Sequence, residues 1–366
     1  MKRASAVKKI FLETHNIKKL HTGFGQFNYH LAKALSNESE FLNEHEVIIN
    51  CNNEKVKKEI GKKISYNKYL QITRYPFFRI KRNFNLWHSV NQNTKIEPAS
   101  PTIPYLLTIH DINFLEEETG EHFDFRMNQL KNKIQRSSAI VYISEFAKKS
   151  THKHFSIPDI PEYVIYNGNN LNYDYSGLLQ LPGKGFQPKT PFIFSIGQVV
   201  EKKNFHTLID MIRLTNDLSL VIAGEMNTPY AETLKQKIAL YQLENRVFLL
   251  GKISETEKIY YYQNCLAFAF PSLREGFGLP VLEAMTFGKP VFLSNKTSLP
   301  EIGGKHAFYW NNFDPVYMAK IFLDGMDTFL QNKEMYASAY KKRAQKFTWE
   351  NAAKEYTCVY KSILNQ

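Results

Sequence analysis

The sequence has very little cysteine. Cys51, Cys265 and Cys358 are the only three among 366 residues. Few, odd in number and widely scattered, they fit neither a disulfide framework nor a zinc site, and they suggest a reducing compartment. Long apolar runs are missing as well. Stretches such as "CLAFAF" (265–270) fall far short of the roughly 18 residues a membrane span needs. The opening "MKRASAVKKIFLETHN" has a basic lead without an apolar h-region, so no secretion signal is expected. Acidic residues are outnumbered, 35 Asp and Glu against 47 Lys and Arg, giving +12 and a pI near 9.3. That balance favours a polyanionic partner or an anionic membrane surface and is silent on fold.

The apolar content, 43%, is that of an ordinary globular protein. A chain this long exceeds one compact core and suits two domains. Short apolar strand signals alternate with helical ones, the pattern of parallel α/β sheets. In the first half "KIFLETHN", "EVIIN", "NLWHSV", "YLLTIH", "AIVYIS" and "YVIYNG" read as strands, and "GQFNYHLAKAL" as a helix with Phe27, Leu31 and Ala34 on one face. The rhythm restarts with "PFIFSIG", "LSLVIAG", "RVFLLG", "LAFAFPS" and "PVFLSN". Between the halves, residues 176–191 are rich in Gly and Pro and lack periodicity, so they read as a linker. The expectation is two doubly wound, Rossmann-like domains facing across a cleft. Ligands of such sheets sit beyond the carboxyl ends of the strands.

One stretch in the second half concentrates unusual chemistry. "SLREGFGLPVLEAMTFGKPV" (272–291) holds Glu275 and Glu283 with seven residues between them. Glu275 follows the strand that ends at Pro271. Pro280 suits the first helical position, where its missing N–H costs nothing, and Leu282, Met285 and Thr286 continue the helix. Gly276, Phe277 and Gly278 form a loop whose glycines let backbone approach a ligand closely, and the helix start offers N–H groups to an anion. Glu283 falls about one turn into the helix, so both carboxylates can face one bound molecule. A phosphate-bearing, hydroxyl-rich ligand would use all three features. The same residues also read as a glycine-rich turn before a helix with a solvated glutamate.

The stretch resembles the E-x7-E motif of retaining glycosyltransferases of the GT-B fold, family 4 (glycosyl transferases group 1). The resemblance extends to "SLPEIGG" (298–304), to "YISEFAKKS" followed by "VIYNGNN", and to "SIGQVVEKKNFHTLIDMI", and so spans most of residues 110–310. It implies that Glu275 contacts donor-sugar hydroxyls and Glu283 the ribose. It also implies a phosphate role for Lys203, beside Asn204, with Lys202 as its neighbour. Where the family often carries arginine after the strand glycine, this chain has Gln198 after Gly197, which puts one phosphate ligand in doubt; Lys202 is the residue placed to compensate. From the residues alone, two ammonium groups beside a helix N-terminus suit a departing diphosphate, although lysine pairs are more commonly plain solvated surface.

In the first half, "HTGFGQF" gives a Gly23-x-Gly25 turn before a helix, resembling the family's glycine-rich loop against donor phosphates or acceptor. "LLTIHDINF" puts His110 and Asp111 at a strand's carboxyl end. The resemblance implies contact of His110 with the transferred sugar, and Asp111 is placed to orient His110 or an acceptor hydroxyl. His88 reads as structural. Residues 55–82 carry ten Lys or Arg against Glu59 alone, with Tyr66, Tyr69, Tyr75, Phe77 and Phe78 interleaved. That is a pattern of anionic membrane surfaces, of single-stranded nucleic acid binding, and of merely solvated faces. At the end, "FTWENAAKEYTCVYKSIL" reads as a helix capped by Thr348 with Ala352, Tyr356 and Tyr360 on one face; family members return this helix to the first domain.

These readings give an acceptor domain over 1–180, a nucleotide-sugar domain over 181–345, and a returning helix over 346–366. The expected activity is metal-independent, retaining hexosyl transfer, mannose favoured, from a GDP- or UDP-linked sugar to a glycan or lipid-linked acceptor in envelope polysaccharide or lipopolysaccharide assembly. No cofactor and no nucleic acid partner are expected, and the place of action is the cytoplasm, peripheral to the membrane. A GT-B epimerase or hydrolase and a catalytically silent sugar-nucleotide binder are the alternatives.

Overall fold

The computed structural model describes residues 7–171 and 185–366. The expected domain boundary at 180/181 and residues 176–184 of the expected linker lie outside them. The chain divides into two compact units: unit 1 is Met1–Asn170 with Phe347–Gln366, and unit 2 is Leu171–Lys346.

In unit 1 the strands are β1 (Lys8–Leu12), β2 (His45–Asn50), β3 (Ser65–Asn67), β4 (Leu86–Ser89), β5 (Tyr105–Ile109), β6 (Ala139–Tyr142) and β7 (Glu162–Val164). They form one parallel sheet in the order β3-β2-β1-β4-β5-β6-β7. Strands covered on both faces read as near-continuous apolar runs, and β4, β5 and β6 are buried at every position, the polar His88, Ser89 and Thr108 included. Phe11, Trp87, Tyr105 and Tyr142 fill one side of this core. On helix Gly23–Leu35, Phe27, Leu31 and Ala34 are all buried. The helix Trp349–Leu364 is capped by Thr348 Oγ1, which accepts from Asn351 N at 3.1 Å. It buries Ala352, Tyr356 and Tyr360 within unit 1. There Tyr360 OH meets His88 Nδ1 at 2.9 Å, and Tyr356 OH meets Thr108 Oγ1 at 3.1 Å.

Unit 2 repeats the plan with β8 (Phe192–Ile196), β9 (Ser219–Ala223), β10 (Val247–Gly251), β11 (Ala267–Phe270), β12 (Val291–Ser294) and β13 (Phe308–Trp310). Its parallel order is β10-β9-β8-β11-β12-β13. In both sheets the order runs back to the first strand and then jumps across it, so the crossover helices diverge there. This switch point leaves a crevice at the carboxyl ends of β1 and β4 in unit 1, and of β8 and β11 in unit 2.

Two short strands, β3 and β13, were not expected. Each has three residues, too few to show an alternating pattern. Of "YVIYNG" (163–168) only Tyr163 and Val164 belong to the paired strand, which begins at Glu162. Gly23 and Gly25 do not form a turn ahead of the helix. They belong to its first turn, because Thr22 Oγ1 accepts from Gly25 N at 3.1 Å and starts the helix at Gly23. A Cβ on Gly25 would collide with the Lys19 carbonyl, so close packing accounts for this glycine.

Candidate active site

The switch point of unit 2 brings together two loops that are 72 positions apart in sequence. After β8 come Gly197 and Gln198, then a single 3-10 turn, Glu201–Lys203, ended by Asn204 in the left-handed region (φ 59°). Helix Phe205–Arg213 follows, its Phe205, Leu208 and Ile212 wholly buried. After β11 comes Pro271–Gly278. The loops are tied at three points: Leu273 N donates to Lys202 O at 2.8 Å, Ser272 Oγ to Lys202 O at 3.2 Å, and Asn204 Nδ2 to Pro271 O at 3.3 Å.

These ties set Lys203 against Glu275. The ammonium and the carboxylate form an ion pair with side chains 13% and 14% exposed, which shields them from water without sealing them in. The Lys203 ammonium also lies 4.9 Å from the centre of the Phe270 ring. The loop beyond is clamped from β12's far end. Ser298 Oγ reaches the carbonyls of Glu275 (3.0 Å) and Phe277 (2.8 Å), and Thr297 Oγ1 accepts from Glu275 N at 3.1 Å. Gly276 makes the bend, and Gly278, at φ 111°, is the N-cap of helix Leu279–Thr286. A side chain there would be strained by backbone conformation and would meet Leu299 Cδ2 at 2.9 Å. Among the described residues no side chain caps this helix, so its positive end faces the loop. Pro280 occupies the second helical position, not the first; the N–H of either lacks an intrahelical acceptor. Phe277 buries its ring, so only its main chain is offered to a ligand.

Glu283 is not the solvated glutamate of the alternative reading. It is 5% exposed. Its Oε1 pairs with Lys258 Nζ at 3.0 Å, and its Oε2 accepts from Tyr262 OH at 2.9 Å. Both partners stand on helix Glu255–Asn264, one turn apart. Burial draws the Lys258 pKa down, but the carboxylates of Glu283 and Glu255 outweigh it and hold the ammonium above its ordinary value. Burial, followed by the Glu283 charge, pushes Tyr262 well above its usual range. Each Glu283 oxygen keeps a further lone pair, so the carboxylate is a braced acceptor.

In unit 1, His110 follows β5 and is buried. Its Nε2 lies 2.9 Å from Val90 O. A carbonyl only accepts, so Nε2 carries the hydrogen and Nδ1 is left as an acceptor. The ring sits edge-on to Phe24 and Phe27, at 4.9 and 4.5 Å. Burial pulls its pKa down to about 4, against a small opposing effect of the Val90 carbonyl. Asp111 Oδ1 accepts from Asn113 N at 3.0 Å. Gln92 braces the segment, accepting from His110 N (3.1 Å) and donating to Asp111 O (2.7 Å). His88, pulled down to about 3 by burial and by His110, is locked between Tyr360 and Thr108.

Gln92, Lys258, Tyr262, Thr297 and Ser298 escape the reading from sequence. Only Ser298 had a signal, as the first residue of "SLPEIGG". Among the described residues, no group of three or more His, Cys, Asp or Glu could hold a metal ion, and no helix is long and apolar enough to cross a membrane.

Residues 180–347 match the family described as glycosyl transferases group 1. The Escherichia coli serotype-specific mannosyltransferase WbdA is 29% identical over 248 residues, 63% of this chain but 29% of WbdA. The Salmonella typhimurium O-antigen chain mannosyltransferase RfbU is 28% identical over 219 residues, 58% of this chain and 59% of RfbU. The chain thus spans less than two thirds of the length of either relative. The crystal structure of Anabaena HepE in complex with UDP and glucose matches with a TM-score of 0.71 at 17% identity, over 97% of this chain and all of HepE. The fold is thus the GT-B fold, two parallel α/β units, and the Lys203–Glu275 pair lies inside the segment 180–347 that matches the family model.

Proposed function

We propose that the protein is a retaining, metal-independent glycosyltransferase. It moves a hexose, with mannose favoured, from a nucleoside-diphosphate sugar to a glycan or lipid-linked acceptor in cell-envelope polysaccharide or lipopolysaccharide biosynthesis. The observation that carries this reading is the Lys203–Glu275 pair beside the uncapped helix start at Leu279. A donor needs acceptors for its sugar hydroxyls and positive charge for its diphosphate, and this corner of unit 2 supplies both. The mannosyltransferases among its relatives support the sugar, and UDP with glucose in HepE supports the donor class.

In this reading Glu275 accepts from hydroxyls of the transferred sugar, and Glu283, held by Lys258 and Tyr262, accepts from the ribose. As the bond from the anomeric carbon to the diphosphate oxygen breaks, its electron pair stays on that oxygen. Lys203 and the helix N–H groups stabilise the growing charge. The acceptor hydroxyl attacks from the face the diphosphate leaves, and its proton passes to the departing oxygen. His110, with Nδ1 unprotonated, accepts from a sugar hydroxyl. Gln198, Lys202 and the helix start at Gly23–Gly25 contact the donor, and Asp111 the acceptor. The protein works in the cytoplasm against the membrane face.

The test is incubation with GDP-mannose or UDP-glucose and a lipid-linked glycan extract, followed by NMR of the product linkage. Transfer with the donor's anomeric configuration supports the proposal. Inverted product, or free sugar released at the same rate without acceptor, overturns it.

A further inference from the structure

Unit 1 holds a cavity of about 600 Å³ between the segment after β3 and helix Gly120–Arg136. Among the described residues its wall carries five cations, Arg74, Arg79, Lys95, Lys133 and Arg136, against the single carboxylate of Glu97. That carboxylate is already shared. Lys133 Nζ approaches it at 3.1 Å, Arg136 Nη1 at 3.2 Å, and Tyr105 OH donates to it at 3.0 Å. Lys95 lies over the Phe125 ring, 4.5 Å from its centre.

Two donors on this wall, Arg79 Nε and Arg136 Nη2, are buried and have no hydrogen-bond partner among the described residues. A buried guanidinium N–H without an acceptor is costly, and an anion seated in the cavity would relieve both. Beside the cavity, the chain exposes apolar surface that a water-facing loop has no reason to carry. Phe77 is 78% exposed and Tyr75 65%, and Leu70, Ile72, Phe78 and Phe125 are exposed as well. Cations in a pocket with aromatic rings on the rim match a phosphate at the boundary between water and hydrocarbon.

We propose that this pocket binds the phosphate headgroup of an anionic membrane lipid, with the aromatic rim set into the lipid surface beside it. Arg79 supplies the unpaired donor, and its planar fork suits phosphate better than a point charge does. The site is separate from the transfer chemistry and stands whether or not the donor reading holds.

The experiment is flotation of the full chain with vesicles of phosphatidylglycerol and phosphatidylcholine, against phosphatidylcholine alone. Wild type should float only with the anionic vesicles. Arg79→Gln should lower that partitioning roughly tenfold, as expected for one charge-assisted hydrogen bond. Arg79→Lys should fall between the two. The double variant Lys62→Gln, Lys68→Gln removes two exposed charges outside the pocket and should lose less than Arg79→Gln, whereas charge counting alone predicts the reverse. Phe77→Ser, on a residue 78% exposed, should weaken flotation with little change in the melting temperature. Equal binding by Arg79→Gln, or a larger loss in the lysine pair, would overturn the pocket. Tight binding of inorganic phosphate with no flotation would overturn the lipid and leave a soluble phosphate ester in its place.

Discussion

Two buried histidines make unit 1 acid-labile by a calculable amount. His88 and His110 are held to pKa values of about 3 and about 4, chiefly by burial, whereas an unfolded histidine titrates near 6.5. Both folded values lie below the unfolded one. The unfolded chain therefore binds more protons over this window, and stability present above about pH 6.5 is lost as pH falls toward 4 and then 3. From about pH 7 to about pH 5 each histidine withdraws roughly 1.9 kcal/mol, or just under 4 kcal/mol for the pair. That is a large share of a domain's typical stability of roughly 5–15 kcal/mol. Urea unfolding read by tryptophan fluorescence measures it. Trp87 and Trp349 lie in unit 1, and Trp310, in unit 2, can be replaced by Phe to silence it. The midpoint of the unit 1 transition should drop steeply between these pH values. His110→Asn should show about half the slope, because Asn does not titrate. A wild-type midpoint that is flat over the window, or a His110→Asn variant with the full slope, would refute the claim that these rings are buried neutral.

Lys203→Ala should lower kcat about 10²–10³-fold with a smaller change in donor affinity, since its partner gains charge only as the bond breaks; single-turnover rates and donor binding read the two separately, and a loss within about twofold would remove it from the mechanism. Glu283→Ala should raise donor KM more than it lowers kcat. Lys258→Met should destabilise unit 2 by about 3–5 kcal/mol, by leaving the Glu283 carboxylate buried and uncompensated, visible in calorimetry. Turnover should survive excess EDTA; abolition with rescue by Mg²⁺ or Mn²⁺ would count against protein cations as the diphosphate's counter-charge.

The fold was legible because parallel strands covered on both faces leave continuous apolar runs, as in "YLLTI" and "SLVIA". β3 and β13 lacked that length. The site was half legible. Glu275 and Lys203 stand out as motif residues, but only the neighbouring of β8 and β11 makes them a pair. The bracing of Glu283 was hidden because "EKIYYYQN" reads as an ordinary helix; Lys258 and Tyr262 become its partners through the packing of that helix against Leu279–Thr286. Gly25 was misread because its collision partner, Lys19, lies in a loop whose path no local pattern fixes.

The helix Trp349–Leu364 also sets the order in which this protein can mature on the ribosome. All seven strands of unit 1 have been translated by Val164, yet the buried His88 ring and Thr108 hydroxyl take partners from Tyr360 and Tyr356, and Lys8 Nζ donates to Leu364 O at 2.5 Å. Unit 2 is synthesised in between and contains all of its own strands, so it can fold while unit 1 still waits. Until residues 347–366 emerge, the nascent unit 1 shows water and chaperones the apolar face that Ala352, Tyr356 and Tyr360 later cover.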